Sequence, residues 1–216
     1  MRFLGIDEAG RGPIVGPLIV AGLSINESQE KELIELGVKD SKLLTDKKRK
    51  SLYKILTKKF KFRVLIVSAF EVDEALGSSK SNLNWLEAEK YIELINDLDA
   101  DRVFIDCPST NVKAFKSYVV ERLLNKKLDL VVEHKADMNY PVVSAASIIA
   151  KEEREMAIAE IKQRINFDFG SGYMADPKTQ EFLEKYWDVY PELFRKSWEP
   201  YKKISLKRSQ KNLGEY

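Results

Sequence analysis

Two short apolar runs near the N-terminus, Arg2-Phe3-Leu4-Gly5-Ile6 and Leu18-Ile19-Val20-Ala21-Gly22-Leu23, constrain the fold of this chain most. Each reads as a buried strand. Asp7 and Glu8 close the first run, and the turn Gly10-Arg11-Gly12-Pro13 follows after one alanine. Carboxylates at a strand end are poorly placed for a core and well placed for a cation. Gly10 and Gly12 free the backbone to approach a ligand or to adopt positive φ. Arg11 between them supplies a fixed cation suited to phosphate. Taken alone, the same string is also a hairpin turn with a solvated Asp-Glu pair.

Beyond these runs helices and strands alternate. Residues Asp46 to Lys59 are a predicted helix with Leu52, Ile55 and Leu56 at helical spacing and Thr45 as its cap. Phe62 to Ser68 is a third strand, and Asn84 to Leu98 is an amphipathic helix with Leu86, Tyr91, Leu94, Ile95 and Leu98 near one face. Val103-Phe104-Ile105 is a fourth strand ending at Asp106, Val112 to Leu124 a helix, and Leu128 to Glu133 a fifth strand. Pro141 suits a first helical turn, from which a long helical pattern runs to Ile165. A loop over Phe167 to Tyr173 and a helix from Lys178 to Val189 follow. This order predicts an α/β fold, a mixed five-stranded sheet flanked by helices with a helical C-terminal portion.

With 216 residues the chain can bury one sizeable core. A net charge of +2 does not announce a nucleic-acid binder, although basic residues cluster from Lys42 to Lys59 and again from Lys202 to Lys211. Either cluster is equally a solvated helix face. The single cysteine, Cys107, excludes an intrachain disulfide and fits a reducing compartment. The one histidine, His134, cannot build a Cys/His zinc site. No apolar run approaches the roughly 18 residues of a membrane span. The first strand starts at once, leaving no room for a signal peptide, so a cytoplasmic location is expected.

Asp7 and Glu8 end the first predicted strand, Asp106 ends the fourth, and Asp137 precedes the long helix. In α/β sheets ligands gather beyond the strand ends. Four carboxylates converging there would repel one another unless cations neutralised them. Such an oxygen-rich set suits magnesium or manganese. Two ions about 3.5–4 Å apart can activate a water and stabilise a leaving oxygen in phosphodiester cleavage. Spacing along the chain does not establish that the four meet.

Five motifs occur in one order: Gly5-Ile6-Asp7-Glu8-Ala9-Gly10-Arg11-Gly12, Asp40-Ser41-Lys42, Lys135-Ala136-Asp137 with Tyr140 to Lys151, Gly170-Ser171-Gly172-Tyr173, and Arg195-Lys196-Ser197-Trp198. Together they resemble the type-2 ribonuclease H (ribonuclease HII) family, closest to its archaeal branch, over Phe3 to about Trp198. The resemblance implies an RNase H-like catalytic domain over residues 1–165 and a C-terminal helical portion with a basic tail over 166–216. It implies cleavage of the RNA strand of RNA–DNA hybrids and nicking 5′ of ribonucleotides embedded in duplex DNA, a role in removing misincorporated ribonucleotides and RNA primers. It assigns Asp7, Glu8, Asp106 and Asp137 to two Mg²⁺ or Mn²⁺ ions and sets Gly10, Arg11 and Gly12 beside the 2′-hydroxyl. Tyr173 would stack on the sugar beyond the RNA–DNA junction, and the expected state is a monomer.

The residue chemistry agrees with these assignments. Telling RNA from DNA means recognising the 2′-OH, which both donates and accepts. Lys42 is placed to meet a phosphate as a point charge. Ser144 and Ser147, early in a helix, are expected to add phosphate contacts, with close helix packing the alternative. The C-terminal Gln210, Leu213 and Tyr216 have the spacing of a sliding-clamp-binding peptide, which plugs its anchors into an apolar pocket. Two rivals remain: a type-3 ribonuclease H, and a nucleic-acid-binding module without catalysis.

Overall fold

A computed structural model describes residues 1–38 and 44–213, with 208–213 described by backbone alone. Its sheet has five strands: β1 (Arg2–Ala9), β2 (Leu18–Asn26), β3 (Lys61–Val67), β4 (Arg102–Asp106) and β5 (Asp129–Glu133), in the order β3-β2-β1-β4-β5. β1 and β2 pair antiparallel, whereas β1 with β4 and β4 with β5 are parallel. The sheet is therefore mixed, as the alternating pattern predicts. β1 lies at its centre, which is why its sequence is a nearly unbroken apolar run.

The first strand is longer than its apolar run. Pairing with β2 continues through Asp7 opposite Ala21, Glu8 opposite Val20 and Ala9 opposite Ile19. Ladder hydrogen bonds, not hydrophobicity, set where this strand stops.

Nine helices are described: α1 (Glu30–Leu36), α2 (Asp46–Lys59), α3 (Ala69–Gly77), α4 (Leu83–Leu98), α5 (Val112–Arg122), α6 (Ala136–Asn139), α7 (Pro141–Ile165), α8 (Pro177–Tyr186) and α9 (Glu199–Leu213). Thr45 caps α2 by accepting the Lys48 amide at 3.3 Å. α3 is absent from the sequence reading, which ends a strand at Ser68. Ser68 is instead the cap of α3, and with Glu71 it forms a reciprocal capping box.

The chain divides into two compact units, each discontinuous in sequence. The first comprises Met1–Ala9, Ile19–Ile66 and Leu83–Glu153. Its core packs Phe3, Ile19, Leu23 and Phe104 of the sheet with Leu52 and Leu56 of α2 and Val142, Ala145, Ala146 and Ile149 of α7. Small side chains on that face of α7 allow close approach to β1. A Cβ at Gly5 would lie 2.3 Å from the Val142 carbonyl carbon.

The second unit comprises Gly10–Leu18, Val67–Asn82 and Arg154–Tyr216. Ile14, Val15, Ile158, Phe169, Phe182, Leu193, Phe194 and Tyr201 form its core. Phe182 is central to it, with the Phe169 and Phe194 rings each 5.2 Å away. Among the described residues no helix is long and apolar enough to cross a membrane.

Candidate active site

In the first unit, strand geometry separates two carboxylates that are adjacent in sequence. Successive side chains on a strand point to opposite faces. Asp7 shares the face of Gly5, against which the start of α7 packs, and the Ser147 hydroxyl of α7 hydrogen-bonds to it. Glu8 takes the other face, where its carboxylate accepts the hydroxyl of buried Tyr91 from α4.

β4 runs parallel to β1, so Asp106 comes to the same end of the sheet as Asp7. The Asp106 carboxylate accepts the Ala136 amide at 3.2 Å and thereby ties down the start of α6. Lys135, left-handed at φ 62°, turns the chain from β5 into that helix. Asp137 is the next residue of α6, and it is buried. One oxygen each of Asp7, Asp106 and Asp137 then falls within 4.8 Å of the others. Glu8 is not one of the three whose oxygens meet at this distance; it faces the other way on β1, yet its charge is felt at Asp7.

Burial pushes the Asp7 carboxyl well above the usual carboxylate range. The charge of Glu8, and then that of Asp106, push the same way, while the Ser147 hydroxyl and the Glu8 amide at 2.8 Å oppose them. Without a cation the cluster favours retaining a proton; a divalent ion would displace it. Hard carboxylate oxygens from three separate elements fit such an ion.

The second unit builds a different feature. Gly10 has φ 85°, and a Cβ there would lie 2.6 Å from the Pro17 carbonyl oxygen and 2.7 Å from the Arg154 side chain. At Gly12 an added Cβ would meet only Tyr173, at 3.6 Å. Downstream, the Ile14 and Val15 amides donate to the Gly172 carbonyl at 2.9 and 3.2 Å. Arg154 donates to the Ser171 carbonyl at 2.8 Å and lies over the Tyr173 ring at 5.0 Å. The Gly-Arg-Gly turn and Tyr173 are thus neighbours, although more than 150 residues separate them in the chain.

Ser144 has the surroundings of a packing residue. It is completely buried, and its hydroxyl donates to the Val38 carbonyl within the core. Ser147, also fully buried, is engaged with Asp7. Lys42 lies outside the described residues, as do the side chains of Gln210 and Leu213 and all of Tyr216. Two partners of the carboxylates escaped sequence reasoning. Tyr91 reads there as one more apolar-face residue, and Ser147 as a phosphate contact or packing residue. Arg195 also emerges only in three dimensions, where its buried guanidinium donates to the Gly10 and Arg11 carbonyls at 2.5 and 2.6 Å.

The family model for ribonuclease HII matches residues 4–201, nearly the whole chain. The chain belongs to the ribonuclease HII family. The ribonuclease HII of Pyrococcus furiosus is 41% identical over 225 residues, covering 100% of this chain and 98% of that protein. The crystal structure of the ribonuclease H2 from Pyrococcus horikoshii OT3 matches with a TM-score of 0.87 at 38% identity, covering 97% and 100% of the two chains. The PCNA:RNase HII complex from Archaeoglobus fulgidus contains a chain matching with a TM-score of 0.83 at 38% identity, covering 92% and 96%. As a ribonuclease HII of the archaeal branch, the protein is a divalent-metal-dependent endonuclease of the ribonuclease H class, acting on RNA paired with DNA. Family membership decides against both a type-3 enzyme and a binding module without catalysis.

Proposed function

We propose that this ribonuclease HII hydrolyses the RNA strand of RNA–DNA hybrids and also nicks duplex DNA on the 5′ side of embedded ribonucleotides. Its role would be to remove misincorporated ribonucleotides and RNA primers, acting as a cytoplasmic monomer. The convergence of Asp7, Asp106 and Asp137 oxygens within 4.8 Å is the observation that carries this reading. With Glu8 from the next position on β1, these residues would hold two Mg²⁺ or Mn²⁺ ions. When bound, the ions supply Lewis-acid activation of water and charge stabilisation at the departing 3′-oxygen.

The remaining assignments belong to the protein's own residues. Ser147 orients Asp7, and Tyr91 orients Glu8, so that neither carboxylate must reorganise. Gly10, Arg11 and Gly12 read the 2′-hydroxyl through the backbone. Tyr173 stacks on the deoxyribose on the 3′ side, where an added hydroxyl would spoil the contact. Lys42 meets a backbone phosphate as a point charge.

A labelled DNA duplex containing one ribonucleotide, incubated with Mg²⁺, Mn²⁺ or EDTA beside an all-DNA control, tests this directly. A single metal-dependent nick 5′ to the ribonucleotide is expected. Cutting confined to long hybrids would refute the single-ribonucleotide specificity.

A sliding clamp is the proposed protein partner, bound through Gln210, Leu213 and Tyr216. The Archaeoglobus fulgidus relative, solved as a PCNA:RNase HII complex, supports this assignment. Deleting residues 210–216 should abolish clamp binding in calorimetry while leaving nuclease turnover intact. Unchanged affinity would reject it.

A further inference from the structure

Arg195 has the largest fully buried side chain among the described residues, which is an unusual place for a guanidinium. Burying this cation is costly unless its donors are used. It donates to three backbone carbonyls of the turn after β1: Gly10 at 2.5 Å, Arg11 at 2.6 Å and Gly16 at 3.2 Å. Its own amide donates to the Ile14 carbonyl at 2.9 Å. Trp198, whose ring lies 5.0 Å from the guanidinium, donates its indole N–H to the Gly12 carbonyl at 3.3 Å. The carbonyls of all three residues in Gly10-Arg11-Gly12 are therefore drawn toward one segment of chain.

That segment is itself anchored. Asp73 of α3 accepts the Lys196 amide at 2.7 Å, the Ser197 amide at 2.9 Å and the Ser197 hydroxyl at 2.5 Å. Asp73 thus fixes the backbone immediately after Arg195, and Arg195 fixes the turn.

Peptide planarity gives this arrangement a chemical consequence. The described peptide bonds are trans, so each carbonyl and the following N–H point in opposite directions. With the Gly10 and Arg11 carbonyls directed at Arg195, the amides of Arg11 and Gly12 are directed away from it. The residue after Gly12 is Pro13, which has no N–H to orient. The guanidinium behind these two consecutive amides keeps their peptides from flipping.

We propose that Arg195 is a positioning residue for ribose recognition, holding the Arg11 and Gly12 amides as a donor pair for the 2′-hydroxyl and the phosphate beside it. This rests on the proposed reading of Gly10-Arg11-Gly12 as the ribose-sensing turn. Arg195 is fully buried and acts through the loop, without touching substrate. Lysine would be a poor substitute, since a single ammonium cannot span three carbonyls as a planar fork does.

The test compares wild type with Arg195→Lys and Trp198→Phe, and with Arg195→Ala if that variant folds. The readouts are the affinity ratio between a duplex carrying one ribonucleotide and its all-DNA counterpart in EDTA, kcat and KM for nicking, Mn²⁺ affinity by calorimetry, and thermal melting. Arg195→Lys should lower the affinity ratio and raise KM by about tenfold or more, the scale of losing charge-assisted hydrogen bonds. Trp198→Phe should give a smaller loss of the same kind. Mn²⁺ affinity and kcat should stay within about twofold for both, because only positioning of the bound ribose is weakened.

A folded Arg195→Lys protein with the wild-type ratio and KM would overturn the proposal. So would a uniform fall in kcat, Mn²⁺ affinity and melting temperature, which marks a general structural role. If wild type itself neither prefers nor nicks the ribonucleotide-containing duplex, the reading of the turn fails, and the role of Arg195 falls with it. If wild type does both and Arg195→Lys matches it, only the role of Arg195 is lost.

Discussion

Replacing Gly12 by alanine separates the needs of the fold from those of the substrate. Gly12 is not among the glycines with positive φ, and its added methyl would meet only the Tyr173 ring at 3.6 Å, an ordinary contact. Stability should change by less than about 1 kcal/mol, favourably if the loss of unfolded-state freedom dominates. For a chain of this size that is a melting shift of roughly 2–4 °C at most. Gly10→Ala is the control. It forces alanine to φ 85° and sets its Cβ 2.6 Å from a backbone oxygen, so it should cost about 1–3 kcal/mol or more. If the ribose approaches Gly12 closely, one methyl group displaces it by about 1 Å and nicking falls on the order of a hundredfold. Thermal melting and kcat/KM on a single-ribonucleotide duplex measure the two effects separately. A Gly12→Ala enzyme that nicks at the wild-type rate would refute close approach at this residue.

Three further outcomes follow from the same geometry. Asp7→Asn removes a charge whose burial and neighbours disfavour it, so melting should hold or rise while metal-dependent cleavage falls by about a hundredfold or more; near-normal turnover would reject the assignment. Gly5→Ala sets a methyl 2.3 Å from the Val142 backbone and must push β1 from α7, lowering stability by about 1–3 kcal/mol in denaturant melts; an unchanged midpoint would contradict that packing. Asp168 is held below the usual carboxylate range by Lys162 and Lys178, with the Gly170 amide assisting. Its contribution is present above the unfolded carboxylate pKa and is lost as pH falls. The melting difference between wild type and Asp168→Asn should therefore persist at neutral pH, begin to shrink below about pH 4 and go on shrinking as pH falls toward the lowered folded-state value.

Much of the site was legible one residue at a time. The carboxylates Asp7, Asp106 and Asp137 mark themselves by ending apolar runs or opening a helix, and five ordered motifs identify the family. Ser68-Ala69-Phe70-Glu71 also carried a readable capping-box signature, although the preceding strand pattern obscured α3. Other features were not readable, because they depend on direction and contact. Tyr91 looks like any apolar-face residue until its hydroxyl is found on Glu8. Ser144 and Ser147 are chemically identical in the sequence, yet one is committed to the Val38 carbonyl and the other to Asp7.

By itself, then, the sequence determined the α/β pattern, the family and the inventory of acidic and glycine residues, because periodicity and local residue chemistry are properties of neighbours along the chain. Tertiary structure alone decided that Asp7 and Glu8 part company across β1, that Asp106 and Asp137 join Asp7, and that Arg195 grips a turn nearly the length of the chain away. Those outcomes depend on strand facing, on parallel pairing of distant segments and on the satisfaction of buried donors, none of which is encoded at a single position.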